Sequence, residues 1–397
     1  MKQFKKIAAF VATVFTLAAC QKETHLSPDA ASAKPDQINA AEITASAKQH
    51  EVENGFGSGN KRVYTLSNQV SGNSVMEYEG SNDGTLTFNA SYPTGGTGTG
   101  GGLGNQGAVI LGADDEVLLA VNPGSNSISS FKVTDNGLSL KSTVSSDGMR
   151  PVSVTVEKDI VYVLNAGGSG NISGFKLGNN GKLVPIPNST RPLSSATAGP
   201  AQISFVNEGR AVVITEKAAN MIITYTINEE GVPEAMHSIT SATPTPFGFD
   251  AGKNGNIFVS EAAGGAPGAS KLSSYHIDNN GSISLLTGSV GANQSASCWV
   301  VITDNEKYAF TTNTASNNLS NFDINKNTGA ISVNTAIAST TGMGPIDAAL
   351  SDNSKYLYVL NSGSHSISVY AVTNNGGLSN VQTLTGLPVG ANGLAAR

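Results

Sequence analysis

Tyr358-Val-Leu-Asn361, followed by Ser366-Ile-Ser-Val-Tyr370, decides how this chain is read. An apolar run ends on a polar residue, a small Gly/Ser turn follows, and an alternating run leads away, which is the pattern of two antiparallel strands. The phrase recurs as Leu119-Ala-Val-Asn122 with Asn126-Ser-Ile-Ser-Ser-Phe131. Variants are Thr65-Leu-Ser-Asn68, Tyr162-Val-Leu-Asn165, Val213-Ile-Thr-Glu216, Phe258-Val-Ser-Glu261 and Phe310-Thr-Thr-Asn313. The seven closing residues, Asn68, Asn122, Asn165, Glu216, Glu261, Asn313 and Asn361, stand 43 to 54 residues apart. A period near 50 with several short strands per unit marks radial repetition rather than a helical solenoid. The expectation is an all-β, seven-bladed β-propeller over residues 61–397, with four-stranded antiparallel blades.

Outward from the closing residues, each unit opens on an inner strand such as Gly107-Ala-Val-Ile-Leu111, Pro151-Val-Ser-Val154, Ala201-Gln-Ile-Ser-Phe205 or Ile346-Asp-Ala-Ala-Leu350. The first unit, at Arg62, lacks one, and the chain ends on Ala391-Asn-Gly-Leu-Ala-Ala396. That segment is expected to complete blade one and so remove two open sheet edges. Asn136-Gly137, Asn180-Gly181, Asn280-Gly281 and Asn375-Gly376 read as hairpin turns in which both residues tolerate positive φ. Asp278-Asn-Asn-Gly-Ser282 is read the same way, because the bidentate acid of a calcium loop is missing. Gly102-x-Gly104-x-x-Gly107 formally matches a dinucleotide fingerprint, but it leads into a strand and not a helix. It reads as a rim loop or as a nest of backbone N–H groups for an anion.

Composition agrees with this reading. Charged residues make up 13% of the 397 residues, Gly numbers 45, and Lys and Arg together only 23. Such a mixture suits short strands and tight turns. The net charge of −6 and the lack of a basic run after residue 6 argue against a nucleic-acid partner. The two cysteines, Cys20 and Cys298, allow neither a disulfide framework nor a Cys-based zinc site. No metal and no cofactor is expected, and the propeller is expected to be a monomer.

The first residues read as an address. Lys2, Lys5 and Lys6 precede an apolar run from Ile7 to Ala18 that is too short to span a bilayer. Leu17-Ala-Ala-Cys20 then looks like a lipobox, making residues 1–19 a lipoprotein signal peptide and Cys20 the lipid anchor. Gln21-Lys22-Glu23 lacks the Asp of inner-membrane retention and is similar to signals that send bacterial lipoproteins to the cell surface. Residues 20–60 are polar and read as anchor plus flexible tether. The expected location is extracytoplasmic, at the outer membrane, with the membrane as a partner through Cys20.

Polar groups at the inner strands and the loops into them are the site candidates. They are Gln106, Arg150, Gln202, Glu216, Lys217, Phe247, Glu261, Cys298, Trp299 and Asp347. Glu216 and Glu261 replace the usual Asn. They are either an acid–base or cation site, or carboxylates that accept turn N–H bonds as Asn does. Cys298 precedes the only tryptophan, and no His stands at a matching inner-strand start to make a thiolate, so a buried structural Cys is expected. Trp299 stacks on a sugar or ring ligand, or plugs the channel. Arg150, one of only five arginines, begins an inner strand, where it either binds a carboxylate ligand or makes a loop contact.

The blade pattern, with Gly100-Gly-Gly-Leu-Gly-Asn-Gln-Gly107, Thr245-Pro-Phe-Gly-Phe249 and Gly344-Pro-Ile-Asp347, resembles the seven-bladed lactonase-type propellers, which include 6-phosphogluconolactonases and carboxymuconate cyclases. The resemblance implies a lactone or carboxylate ring in the central funnel, with Glu216 matching the acidic residue of those enzymes. It also implies a His where this chain reads Gly199-Pro-Ala-Gln-Ile203, and an Arg-His pair where it has Cys298-Trp299. Two functional readings follow. One is a lactonase-like hydrolase or cyclase with Glu216 as base and Arg150 or Lys217 holding the anion. The other is a non-catalytic propeller binding a glycan, peptide or partner protein through Trp299 and Phe247.

Overall fold

The computed structural model describes residues 61–112 and 115–397, and the signal-peptide, anchor and tether assignments lie outside them. Seven antiparallel sheets form the seven blades. The four strands of each run from the axis outward. Blade 2 is Val109–Gly112, Val117–Asn122, Ser127–Thr134 and Gly137–Ser145. Blade 4 is Pro200–Val206, Ala211–Glu216, Met221–Ile227 and Pro233–Thr240. The inner strands of blades 3, 5, 6 and 7 are Pro151–Glu157, Pro246–Ala251, Ser297–Ile302 and Pro345–Leu350. Blade 3 departs from the plan, since its outer edge is split into Leu183–Pro185 and Arg191–Pro192, both paired with Asn171–Leu177.

Blade 1 is closed as the sequence predicts. Asn392–Ala396 pairs antiparallel with Arg62–Leu66, so the last strand of the chain becomes the innermost strand of the first blade. Backbone bonds between Arg62 and Arg397 in both directions, 3.3 and 3.0 Å, finish the clasp.

The second strand of each blade is apolar on both faces because it lies between neighbouring blades. Leu118, Leu119, Ala120 and Val121 are all fully buried, as are Leu357, Tyr358 and Val359. The Asn-Gly turns differ in detail from the expectation. Gly137, Gly181, Gly281 and Gly376 take positive φ, whereas the asparagines before them do not. At Gly178–Lys182, Gly181 N–H bonds Gly178 O at 2.7 Å and Gly178 N–H bonds Lys182 O at 2.8 Å, a type I turn with one left-handed glycine. Gly137 is required twice over: its φ is +105°, and a Cβ there would lie 1.8 Å from the Tyr92 hydroxyl of the preceding blade.

Adjacent inner strands diverge too far for a continuous ladder, so side chains join them. Ser153 Oγ accepts from Ile203 N–H at 3.2 Å, and Gln202 bonds both the carbonyl and the N–H of Phe249, at 2.8 and 2.7 Å. Asp250 accepts from Ile302 N–H at 2.8 Å, and Asp347 accepts from the backbone of Leu394. These bonds sew blade 3 to 4, 4 to 5, 5 to 6 and 7 to 1.

Candidate functional site at the mouth of the bore

The closing residue of each second strand lies beside the start of its inner strand, as in the pairs Pro200–Glu216, Pro246–Glu261 and Pro345–Asn361. This end of the ring is the funnel mouth. In blades 3 to 7 a register shift interrupts the first turn of pairing, as between Pro200 and Gln202 or between Ser297 and Trp299. The residues that follow the shift include Ser153, Gln202, Trp299 and Asp347.

The Gly-rich loop fills that bore. Asn68 of blade 1 holds its first part through a 2.7 Å bond to Gly101 O, and Gly100 N–H bonds Asn68 O at 2.8 Å. The chain then crosses the ring. Asn105 donates to Val152 O of blade 3 and accepts from the Trp299 indole N–H of blade 6 at 2.6 Å. Gln106 N–H bonds Ala201 O of blade 4 at 3.2 Å, and its side chain bonds Val300 of blade 6 at 2.9 and 3.3 Å. Gly248 makes this possible: a Cβ on it would lie 2.0 Å from Gln106 Oε1 and 2.8 Å from the Cys298 carbonyl. Gly104 O accepts from Lys217 Nζ.

Lys217 lies 4.7 Å from the centre of the Phe247 ring, and Phe247 stacks on Trp299 at 4.9 Å with a 57° tilt. Both rings are fully buried, while Lys217 is half-buried and reaches the mouth. Structure therefore brings together Gln106, Lys217, Phe247 and Trp299, with Cys298 buried beside them. Of the two roles open to Trp299, the geometry has it under the plug. Gln202 and Asp347 are both buried and sew seams. Burial pushes the Asp347 carboxyl well above the usual carboxylate range, against the bonds from Ala348 and Leu394.

Glu216 and Glu261 point away from the axis. Glu216 is fully buried and accepts from both the N–H, at 2.9 Å, and the hydroxyl of exposed Ser194, in the loop between blades 3 and 4. Glu261 accepts from Ser273 at 2.7 Å and Tyr275 at 2.8 Å, both on the third strand of its blade. Asparagines at equivalent places bond the third strand as Glu261 does, but as donors: Asn122 to Ser129 at 2.8 Å and Asn361 to Ser368 at 2.9 Å. Burial raises both glutamate pKa values, and the hydroxyl bonds oppose the rise. Arg150 sits half-buried on the loop into blade 3 with φ +53°, its N–H bonded to Asn126 at 2.7 Å.

Asn105, Gly248, Ser194 and Asp250 are not among the sequence candidates, and Gly104, read there within a rim loop or an N–H nest, contributes its carbonyl instead. Gly248 carried a readable signal, since a glycine inside a strand marks close backbone approach. Among the described residues no group of three or more His, Cys, Asp or Glu side chains is arranged to hold a metal ion.

A seven-bladed ring closed by its own last strand, with a cation and an aromatic pair at one mouth, defines the class. The family profile described as lactonase, 7-bladed beta-propeller, matches residues 54–195 and 268–396, and the chain belongs to that family. The unmatched stretch between them carries Glu216, Lys217, Phe247 and Glu261. No curated protein matches the chain. Among solved structures, a protein from Bacteroides uniformis provisionally assigned as a 6-phosphogluconolactonase is 19% identical with a TM-score of 0.66, over 84% of this chain and 99% of that one. A periplasmic gluconolactonase from Pseudomonas aeruginosa is 15% identical with a TM-score of 0.64, over 84% and 99%. A protein from Lactobacillus plantarum is 16% identical with a TM-score of 0.67, over 85% and 99%. At these identities the likeness is one of fold.

Proposed function

We propose that this propeller takes a lactone or ring carboxylate at the mouth of its bore and hydrolyses or isomerises it. The observation that carries the reading is Lys217, a partly exposed residue whose ammonium lies over the Phe247 ring, which in turn packs against Trp299. An ammonium there stabilises a substrate carboxylate or the oxyanion that develops when water adds to a lactone carbonyl. Arg150 is the second cation assigned to the anion. Adding water breaks the ring C–O bond, gives the ring oxygen a proton, and leaves a carboxylate beside Lys217. Glu216 is the base in this reading and, turned from the axis, it takes the proton of the attacking water through the Ser194 hydroxyl bonded to it. Burial raises its basicity, and the exposed Ser194 hydroxyl stands between it and solvent.

A second reading, a non-catalytic propeller for a glycan, peptide or partner protein, is favoured by one observation. The Glu261 carboxylate is bonded to the third strand of its blade, as Asn122 and Asn361 are, and the Glu216 carboxylate is taken up by Ser194 of the loop between blades 3 and 4. Hydrolysis of a panel of lactones by wild type, Glu216→Gln and Lys217→Met separates the two. The first reading expects turnover that falls on the order of 100-fold in each variant. No turnover by wild type, or equal turnover by all three, favours the second, which a glycan and peptide array then examines.

The location belongs to the same proposal: export, with a lipid on Cys20 and residues 21–60 as tether to the outer membrane. Support comes from the lipobox Leu17-Ala-Ala-Cys20. Metabolic labelling with a fatty-acid analogue checks it: label is expected on wild type and not on Cys20→Ser.

A further inference from the structure

We propose that Gly101–Gly104 is a displaceable stopper: the Gly104 carbonyl holds Lys217 in the place that a ligand's carboxylate takes, and ligand binding lifts the segment from the mouth. This rests on the reading that Lys217 receives an anion. Four observations support the stopper.

The segment is strapped at its start by Asn68 and held at its end by Asn105 and Gln106, which are buried and bonded across the ring. Between these fixed ends lie three glycines. Gly101 and Gly102 are exposed, and a Cβ on either would meet nothing within 4 Å, so the backbone there moves into open space. Glycine lets such a segment change φ and ψ without steric penalty. Leu103, 3% exposed, lies between Gly102 and Gly104, packs into the hydrophobic core and is the side chain that lifting the segment exposes.

The contact at Gly104 is also the exchangeable one. Lys217 Nζ donates to a neutral carbonyl, while a carboxylate in the same place makes a charge-assisted bond roughly twice as strong. An anion therefore gains at the atom where the loop loses. The lower part of the loop, Asn105 and Gln106, keeps its bonds to Val152, Trp299, Ala201 and Val300 and remains the floor of the opened pocket.

The molecule carries its own reporter. Trp299 is the only tryptophan, its indole is bonded to Asn105 O next to the stopper, and its ring stacks on the Phe247 that carries Lys217. Tryptophan emission and its quenching by acrylamide are measured on the full chain, for wild type and Lys217→Gln, alone and with gluconate as the carboxylate probe. Calorimetry follows binding, and the unfolding midpoint of the variant checks that it folds. Lys217→Gln without ligand is expected to raise the quenching constant of Trp299 about twofold or more and shift the emission, and gluconate is expected to do the same to wild type. Unchanged quenching in the variant overturns the stopper whatever the ligand does. Gluconate that binds through Lys217 without altering quenching or emission overturns the stopper and leaves the Lys217 reading standing. Gluconate that does not bind wild type overturns both.

Discussion

Asp250 and Asp347 show what an ionisable residue does in this ring. Each lies on an inner strand and accepts N–H groups from its own strand and from the next blade. Burial outweighs those bonds and pushes the Asp250 carboxyl up to about 6. Because the folded state then holds its proton more tightly than the unfolded chain, Asp250 adds stability that is complete below the ordinary carboxylate range and is lost as pH rises through about 6. Asp347 is shifted in the same direction. The unfolding midpoint of wild type is therefore expected to fall by about 1–3 °C more between pH 5 and pH 7.5 than that of Asp250→Asn. The slope decides this, since Asn keeps only one of the two accepting oxygens and is destabilised at every pH. A variant whose midpoint follows wild type in parallel removes Asp250 as the titrating group. Gly248→Ala belongs to the same scale. Its Cβ meets Gln106 and the Cys298 carbonyl, which is overpacking, and a loss of about 1–3 kcal/mol in denaturant unfolding is expected.

Elements explain why the fold was easier to read than the site. The closing residues of the second strands were visible because their phrase repeats, and Asn68 through Asn361 fall where the repeat puts them. Where their side chains point was not visible. A register shift stands at the start of the inner strands, just before Gln202, Trp299 and Asp347, while Glu216 is bonded to the loop between blades 3 and 4 and Glu261 to the third strand of its blade. Alternation of apolar and polar residues carries no mark of such a shift. The Gly-rich loop was legible as irregular and not as a plug, because its partners come from blades 3, 4 and 6, far along the chain. Gln106→Ala takes away two bonds to Val300, and a shifted Trp299 emission with a lowered unfolding midpoint is expected. Unaltered emission would mean that the loop is not held by that side chain.

At the scale of the whole molecule, one strand turns seven sheets into a ring. Asn392–Ala396 supplies the inner edge of blade 1, and its loss leaves Arg62–Leu66 with an open edge on the bore. Deletion of residues 389–397 is expected to lower the unfolding midpoint by roughly 10 °C or more, read by calorimetry. An equal midpoint would contradict closure. The ring also sets what the mouth offers: a buried aromatic pair, a polar floor and one half-open lysine, in the stretch that the family profile leaves unmatched. A crystal structure of the full chain grown with gluconate tests the role of that lysine most directly. The prediction is a carboxylate on Lys217 Nζ with Gly101–Gly104 lifted from the mouth. An unoccupied Lys217 still bonded to Gly104, under saturating gluconate, would contradict it.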